Sequence, residues 1–267
     1  MRIGLIGSWY DILPLAEAFL WKDVQLDIYM DRAHRPRWDK SQDLRVEQSK
    51  KWVEYLISKW VEKCIVPPML EKYLMEIYPE YILPLFQTYM SDFVCRYSLV
   101  GKLWLLCEHT DMNIAQDIVS QYTKNAILTW SQSKTKRFHT DRPVWKQAVP
   151  MWTYFLTTYG KRDWMVRKSI KHDLRPLKDA AVDTLIPTSR WFLFYTRILH
   201  QHNNRKKIRF HGTASVAECI QKLLWETSGW YSCTLHTTCD IPSFTPESKW
   251  MRMLGRGGDV KIINILE

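Results

Sequence analysis

Short apolar runs alternate with longer amphipathic stretches along the chain. "RIGLIGS" (2–8) carries Ile3, Leu5 and Ile6 into a Gly-Ser turn, and "LPLAEAFL" (13–20) follows with helical spacing. "VQLDIYMD" (24–31) alternates Val24, Leu26, Ile28 and Met30 with other residues, the mark of a strand with one face inward. "SQDLRVEQSKKWVEYLISKWVEK" (41–63) spaces Leu44, Trp52, Tyr55, Leu56 and Lys59 as a helix, with Ser41 as N-cap. "CIVPP" (64–68) reads as a buried strand closed by two prolines, and "MLEKYLMEIY" (69–78) as the next helix.

The pattern restarts at Gly101. "GKLWLLCEH" (101–109) predicts a strand and "DMNIAQDIVSQYT" (111–123) a helix capped by Asp111. A helix and the strand "VDTLIP" follow within 167–189, and "WFLFYTRILHQ" (191–201) is helical. Residues 207–227 give a strand, a Gly212-Thr213 turn and a helix with Val216, Cys219, Ile220 and Leu223 inward; "DVKIINIL" (259–266) is a terminal strand. Strand–helix alternation with short links predicts an α/β fold of two similar lobes, each a mainly parallel sheet flanked by helices, with an interlobe cleft. The first lobe takes 1–97 plus 206–267 and the second 98–205. Open parallel sheets bind ligands where strands end, so the loops after Ile6, Met30, Val66, Leu106 and Ile186 are the ones to watch.

Composition narrows this picture. Hydrophobic residues make up 46% of 267, enough for a real core and too many for a disordered chain. No stretch approaches the roughly 20 apolar residues that span a bilayer, and the N-terminus reads as a first strand rather than a signal peptide. A soluble, cytoplasmic protein without a membrane partner is expected. Six scattered cysteines without a C-x-x-C point to reduced thiols. Cys233, His236 and Cys239 form C-x2-H-x2-C, three soft ligands without an evident fourth; a polar loop with two ordinary cysteines is the plainer reading, and no metal is assigned.

The net charge of +10 is concentrated at 131–146 and 200–210. No nucleic-acid motif accompanies these segments, and they read as connections between elements. A solvated face that attracts anionic small molecules is favoured over a nucleic-acid surface.

The watched loops resemble those of one family, the glutamate racemases of the aspartate/glutamate racemase superfamily. "DRAHRPRWDKS" followed by a helix and "WVEKCIVPP" is similar to the family's D-t-a-r-x-P-Y-G-x-K-S, helix and G-v-K-a-I-V, with Asp31, Ala33, Pro36, Lys40 and Ser41 in register. "IGLIGSW" resembles I-G-v-F-D-S-G, "GKLWLLCEHTD" resembles G-k-i-G-v-l-a-T, and "AAVDTLIPTSRWFLF" resembles v-D-t-l-i-L-G-C-T-H-Y-P-L. "QAVPMWTYFLTT" (147–158) is similar to a-C-P-l-f-v-p-l-v-E, and "FHGTASVAECIQKLL" to the family's last d-G-x-x-v-A segment. The matches run in order over nearly the whole chain.

The resemblance implies cofactor-independent proton transfer at the α-carbon of glutamate, by two cysteine thiols on opposite faces, supplying D-glutamate for peptidoglycan. It also implies a small amino or dicarboxylic acid as partner, no cofactor and a homodimer. It places the substrate-binding groups at Ser8, Pro36, Arg37, Trp38, Thr188, Ser189 and Arg190. Arg37 and Arg190 would favour an anionic ligand, although lone arginines are more often solvated.

The departures fall on the chemistry. The family's acid/base positions are Gly7, Pro68 (Met69 with a slip of one), Thr157, Ser189 (Thr188 with a slip) and Trp191. Neither thiol, neither acid and no histidine remains there. An unperturbed hydroxyl is a far weaker acid than a thiol, and proline takes no proton. Cys64 should be buried in its strand; Cys107 could edge toward the cleft, though one thiol makes no pair. The resemblance thus implies a racemase-like protein with impaired or altered catalysis; the alternative is a non-catalytic descendant that binds a small acid or a partner.

Trp9, Trp38, Trp60 and Trp104 stand where the family has glycine. The chain has 9 Gly and 14 Trp, whereas about 7% glycine would give roughly 19. Tryptophans filling core and cleft are one explanation. The other is a UGA codon, read as glycine in some genetic codes and as tryptophan in others.

Overall fold

The computed structural model describes residues 1–7, 12, 15–16, 18–19, 24–30, 42–89, 103–107, 126–127, 142–148, 164–175, 184–187, 199, 209–210, 213–224, 231–237 and 258–264. The chain divides into two compact units: Met1–Phe86 with Val216–Glu267, and Gln87–Ser215. The junctions expected at 97/98 and 205/206 lie outside the described residues.

The first unit is built on a five-stranded sheet. Its strands are β1 (Arg2–Gly7), β2 (Gln25–Met30), β3 (Lys63–Ile65), β9 (Tyr231–Thr237) and β10 (Gly258–Asn264), in the order β10-β9-β2-β1-β3. Every pair is parallel, with Gly4 opposite both Asp27 and Cys64, and Asp27 opposite Thr234. Helix α1 (Gln42–Ser58) buries Ser49, Trp52, Val53 and Leu56, one stripe at i, i+3, i+4, i+7. It packs against β1, β2 and helix α2 (Pro68–Ile77). Gly4 allows this close approach: a Cβ there would stand 2.8 Å from Leu56 Cδ1 and 3.0 Å from Cys64 Sγ. On the other face Ile3, Leu5, Leu26 and Ile28 have no exposure, so that face is covered too. Helical residues Ile12, Leu15, Ala16 and Phe19 form a second fully buried stripe.

The second five-stranded sheet has the order β5-β6-β4-β7-β8, again all parallel. Its strands are β4 (Leu103–Cys107), β5 (Ala126–Ile127), β6 (Arg142–Ala148), β7 (Thr184–Pro187) and β8 (Arg209–Phe210). Helix α3 (Leu85–Tyr89) precedes them, α4 (Trp164–Asp173) lies between β6 and β7 in sequence, and α5 (Thr213–Leu224) follows β8. In α4 the buried residues Val166 and Ile170 are four apart, with Leu174 one step beyond the helix, while its charged residues face out.

Most expected elements that fall on described residues form within a few residues of their predicted bounds, while the helices expected at 111–123 and 191–201 lie outside those residues, Leu199 excepted. Helix α1 is shorter than the 41–63 expectation: it stops at Ser58, and Lys59 lies in the turn beyond it. In α5 Cys219, Ile220 and Leu224 are buried, while Val216 and Leu223 are only partly so. Three strands were not expected: the two-residue β5, β6 and β9. Residues 142–146 of the basic stretch belong to β6, paired between β4 and β5 rather than forming a connection. Residues 231–237, expected as part of a polar loop, form β9, paired between β2 and β10.

Candidate functional site

The order of the first sheet fixes where a ligand would meet it. β2 lies on one side of β1 and β3 on the other, so the connections diverge between β1 and β3. At such a switch point two strand ends open a crevice. Leu5 is opposite Ile65, so the chain leaves the sheet at neighbouring points: Gly7 from β1, and Val66-Pro67-Pro68 from β3. Pro67 is the N-cap of α2, with φ −53° and ψ 140°, and makes no side-chain cap hydrogen bond. Pro68 is the first helical residue and is buried. Proline suits that place because its missing N–H would have no helical acceptor. Neither Gly7 nor Pro68 carries a group that moves a proton.

Among the described residues of this unit, four ionisable side chains converge elsewhere, around Asp27. Asp27, in the middle of β2, has no exposure at all. Its carboxylate accepts from the Arg2 guanidinium, by Nε and, at 2.9 Å, by the terminal nitrogen, and from His236 Nε2 at 2.9 Å. An ionised carboxylate only accepts, so His236 carries its proton on Nε2; in the neutral ring Nδ1 then accepts from the Tyr55 hydroxyl, 3.2 Å away. Tyr55 meets the His236 ring edge-on at 5.6 Å and Tyr29 at 5.7 Å, and Tyr29 stacks on Trp52 at 5.4 Å. These side chains share the sheet face that α1 covers.

Burial pushes the Asp27 carboxyl up, but the hydrogen bonds and charges of Arg2 and His236 more than offset this and hold it below its ordinary value. The Arg2 guanidinium is raised in return, chiefly by its bond to Asp27. Burial and the Asp27 charge raise the Tyr55 phenol, so it stays protonated and donates. This array joins β1, β2, α1 and β9, bridging the two stretches of chain that make up the first unit. It stands below the sheet edge, paired with itself.

The Cys64 thiol cannot replace the missing one. It is fully buried, and burial followed by the Asp27 charge pushes its pKa up to about 12. The C-x2-H-x2-C pattern is also resolved. Cys233 and His236 are both buried in β9, but residues three apart in a strand point to opposite faces and cannot converge on one metal. Cys239 lies outside the described residues, and no metal-binding cluster occurs among those described.

In the second unit β4 is flanked by β6 and β7, and Leu106 is opposite Pro187. The chain therefore leaves this sheet at neighbouring points after Cys107 and Pro187. Cys107 ends β4, opposite Ala148. Of the expected site residues, Gly7, Pro68 and its alternative Met69, the second residue of α2, are described. Thr157, Trp191, Ser8, Pro36, Arg37, Trp38, Thr188, Ser189 and Arg190 lie outside the described residues.

Sequence reasoning missed the Arg2–Asp27–His236–Tyr55 array. The one available signal was an aspartate among the apolar residues of a strand. No described helix is long and apolar enough to cross a membrane.

No protein-family model matches the chain, and no curated protein matches it in sequence. Solved structures do match over its whole length. Glutamate racemase from Francisella tularensis, in complex with D-glutamate, superposes with a TM-score of 0.75 at 12% identity, covering 99% of this chain and 97% of that one. A glutamate racemase isoform from Bacillus anthracis gives 0.75 at 14% identity, covering 100% and 98%. Aspartate racemase from Picrophilus torridus gives 0.57 at 12% identity, covering 85% and 96%. The chain therefore has the fold of the glutamate and aspartate racemases.

Proposed function

We propose that this chain is a divergent, glutamate racemase-like member of the aspartate/glutamate racemase superfamily. It binds a small amino or dicarboxylic acid at the carboxyl ends of its strands, and its two-thiol proton transfer is lost. The observation that carries this reading is the switch point itself. In a racemase fold, the crevice between β1 and β3 is edged by Gly7 and by Pro68 at the start of a helix. Pro67 and Pro68 have no backbone N–H to offer a carboxylate, and neither Gly7 nor Pro68 can take the α-proton of an amino acid. The expected binding groups Ser8, Pro36, Arg37, Trp38, Thr188, Ser189 and Arg190 belong to the same proposal. So do a cytoplasmic location, a homodimer and a link to peptidoglycan precursors.

Two versions differ in what survives of the chemistry. In one, other groups sustain a slow or altered exchange. In the other, the protein binds without turnover, and the sealed thiol of Cys64 together with the proline at position 68 favours this version. Isothermal titration with the L and D forms of glutamate and aspartate tests the binding claim shared by both. Saturable heat with at least one of the four supports it; no heat with any of them removes it.

A further inference from the structure

Helix α1 ends in a Schellman motif. The N–H of Trp60 donates to the carbonyl of Ile57 at 2.9 Å, and the N–H of Val61 donates to the carbonyl of Leu56 at 3.2 Å. Val61 and Leu56, the two residues whose apolar contact usually accompanies this motif, are both buried in one core cluster. The motif requires a left-handed backbone at the residue between them. Trp60 supplies it with φ 65°, the one positive-φ residue other than glycine found among the described residues.

Tryptophan is a poor choice for this position on two counts. A side chain with a Cβ disfavours the left-handed region by about tenfold or more in population relative to glycine. The indole recovers nothing by packing: it is 85% exposed and makes no ring, cation or hydrogen-bond contact among the described residues. Trp52, eight residues earlier, is 3% exposed and stacked on Tyr29, so α1 itself shows how this fold uses an indole. At position 60 the backbone asks for glycine and the surroundings have no use for a ring. Across the chain tryptophans outnumber glycines, 14 to 9, the reverse of ordinary usage.

We infer that residue 60 is glycine in the protein as its own cell makes it, encoded by a UGA triplet that is read there as glycine and elsewhere as tryptophan. The inference stands on the backbone at residue 60 and on composition, and does not depend on the proposed function. Its consequence is that Trp9 and Trp38 become candidates for the same exchange.

The codon and the native peptide test the inference directly. The gene is expected to carry UGA at codon 60. Protein isolated from its source cells and cut at lysines is expected to release Gly-Val-Glu-Lys after Lys59, rather than Trp-Val-Glu-Lys. A UGG codon overturns the inference, as does a native peptide that begins with tryptophan. The backbone premise has its own readout in recombinant protein. Trp60→Gly is expected to raise the folding equilibrium constant about five- to tenfold, Trp60→Asn by less, and Trp60→Ala by no more than about twofold, because alanine keeps the Cβ. Equal gains from Gly and Ala, or a loss with Gly, overturn the premise.

Discussion

The interior of the first sheet and its carboxyl edge, only a few residues apart, are chemically opposite. The interior carries a carboxylate, a guanidinium, an imidazole and a phenol in one connected array around Asp27. Among the described residues, the edge between β1 and β3 carries Gly7, Val66, Pro67 and Pro68. A protein that moves protons on a bound acid would have its titratable groups at the edge, where ligands meet parallel sheets. Here they tie β1, β2, α1 and β9 together beneath it. The difference teaches that a buried acid–histidine pair is not by itself a catalytic sign. Asp27 is held ionised by Arg2, and both nitrogens of His236 already have partners within the fold.

The largest test of this contrast is Asp27→Ala. It leaves the Arg2 and His236 side chains without their acceptor, and breaking a buried pair in this way costs about 3–5 kcal/mol. Arg2 is 26% exposed and can partly resolvate, so the loss belongs near the lower end, about 3 kcal/mol, read by urea unfolding. A loss below about 1 kcal/mol would break the contrast, because the array would then not be what joins the strands.

Part of the same free energy is expected to appear as acid sensitivity. The folded Asp27 carboxyl lies below its unfolded value of 3.8, so its contribution is fully present above that value and is lost as pH falls through the lower, folded value. Unfolding free energy should therefore drop below about pH 4 with a slope that Asp27→Asn reduces. An unchanged slope in the variant would assign the acid sensitivity to other carboxylates.

The smallest effect is expected at the edge. Pro68→Ala keeps the first turn of α2 and mainly loosens the unfolded chain, so its cost is about 0.5 kcal/mol. If it approached the loss from Asp27→Ala, the edge would be as structural as the interior, and the claim that it is kept for a ligand would weaken.

Much of the fold was legible in the chain. Apolar runs of strand length at β1, β2, β7 and β10, and periodic stretches at α1 and α5, carry their own local signal. β6 and β9 were not legible for physical reasons. "RPVWKQA" contains a proline and two cations, and its place between β4 and β5 is set by pairing that no local pattern reports. "YSCTLHT" is rich in hydroxyls and reads as polar. It is a strand because it pairs with β2 and β10, and its His236 is satisfied by Asp27, 209 positions away in sequence. The left-handed turn after α1 was hidden too, because its usual marker, glycine, is replaced by Trp60. At the candidate site, the family resemblance pointed to Gly7 and Pro68, and the sheet order sets those two positions at neighbouring strand ends. The buried array escaped because Asp27 resembles an ordinary outward-facing residue until its distant partners are known.

The most direct measurement of the central claim is deuterium wash-in at the α-carbon of L- and D-glutamate and aspartate, with protein incubated in heavy water beside a heat-killed control. The account predicts that a ligand bound in titration shows no incorporation above the control, because neither Gly7 nor Pro68 can carry the proton. Incorporation above the control, abolished in a variant of another strand-end residue such as Cys107→Ala, would contradict it.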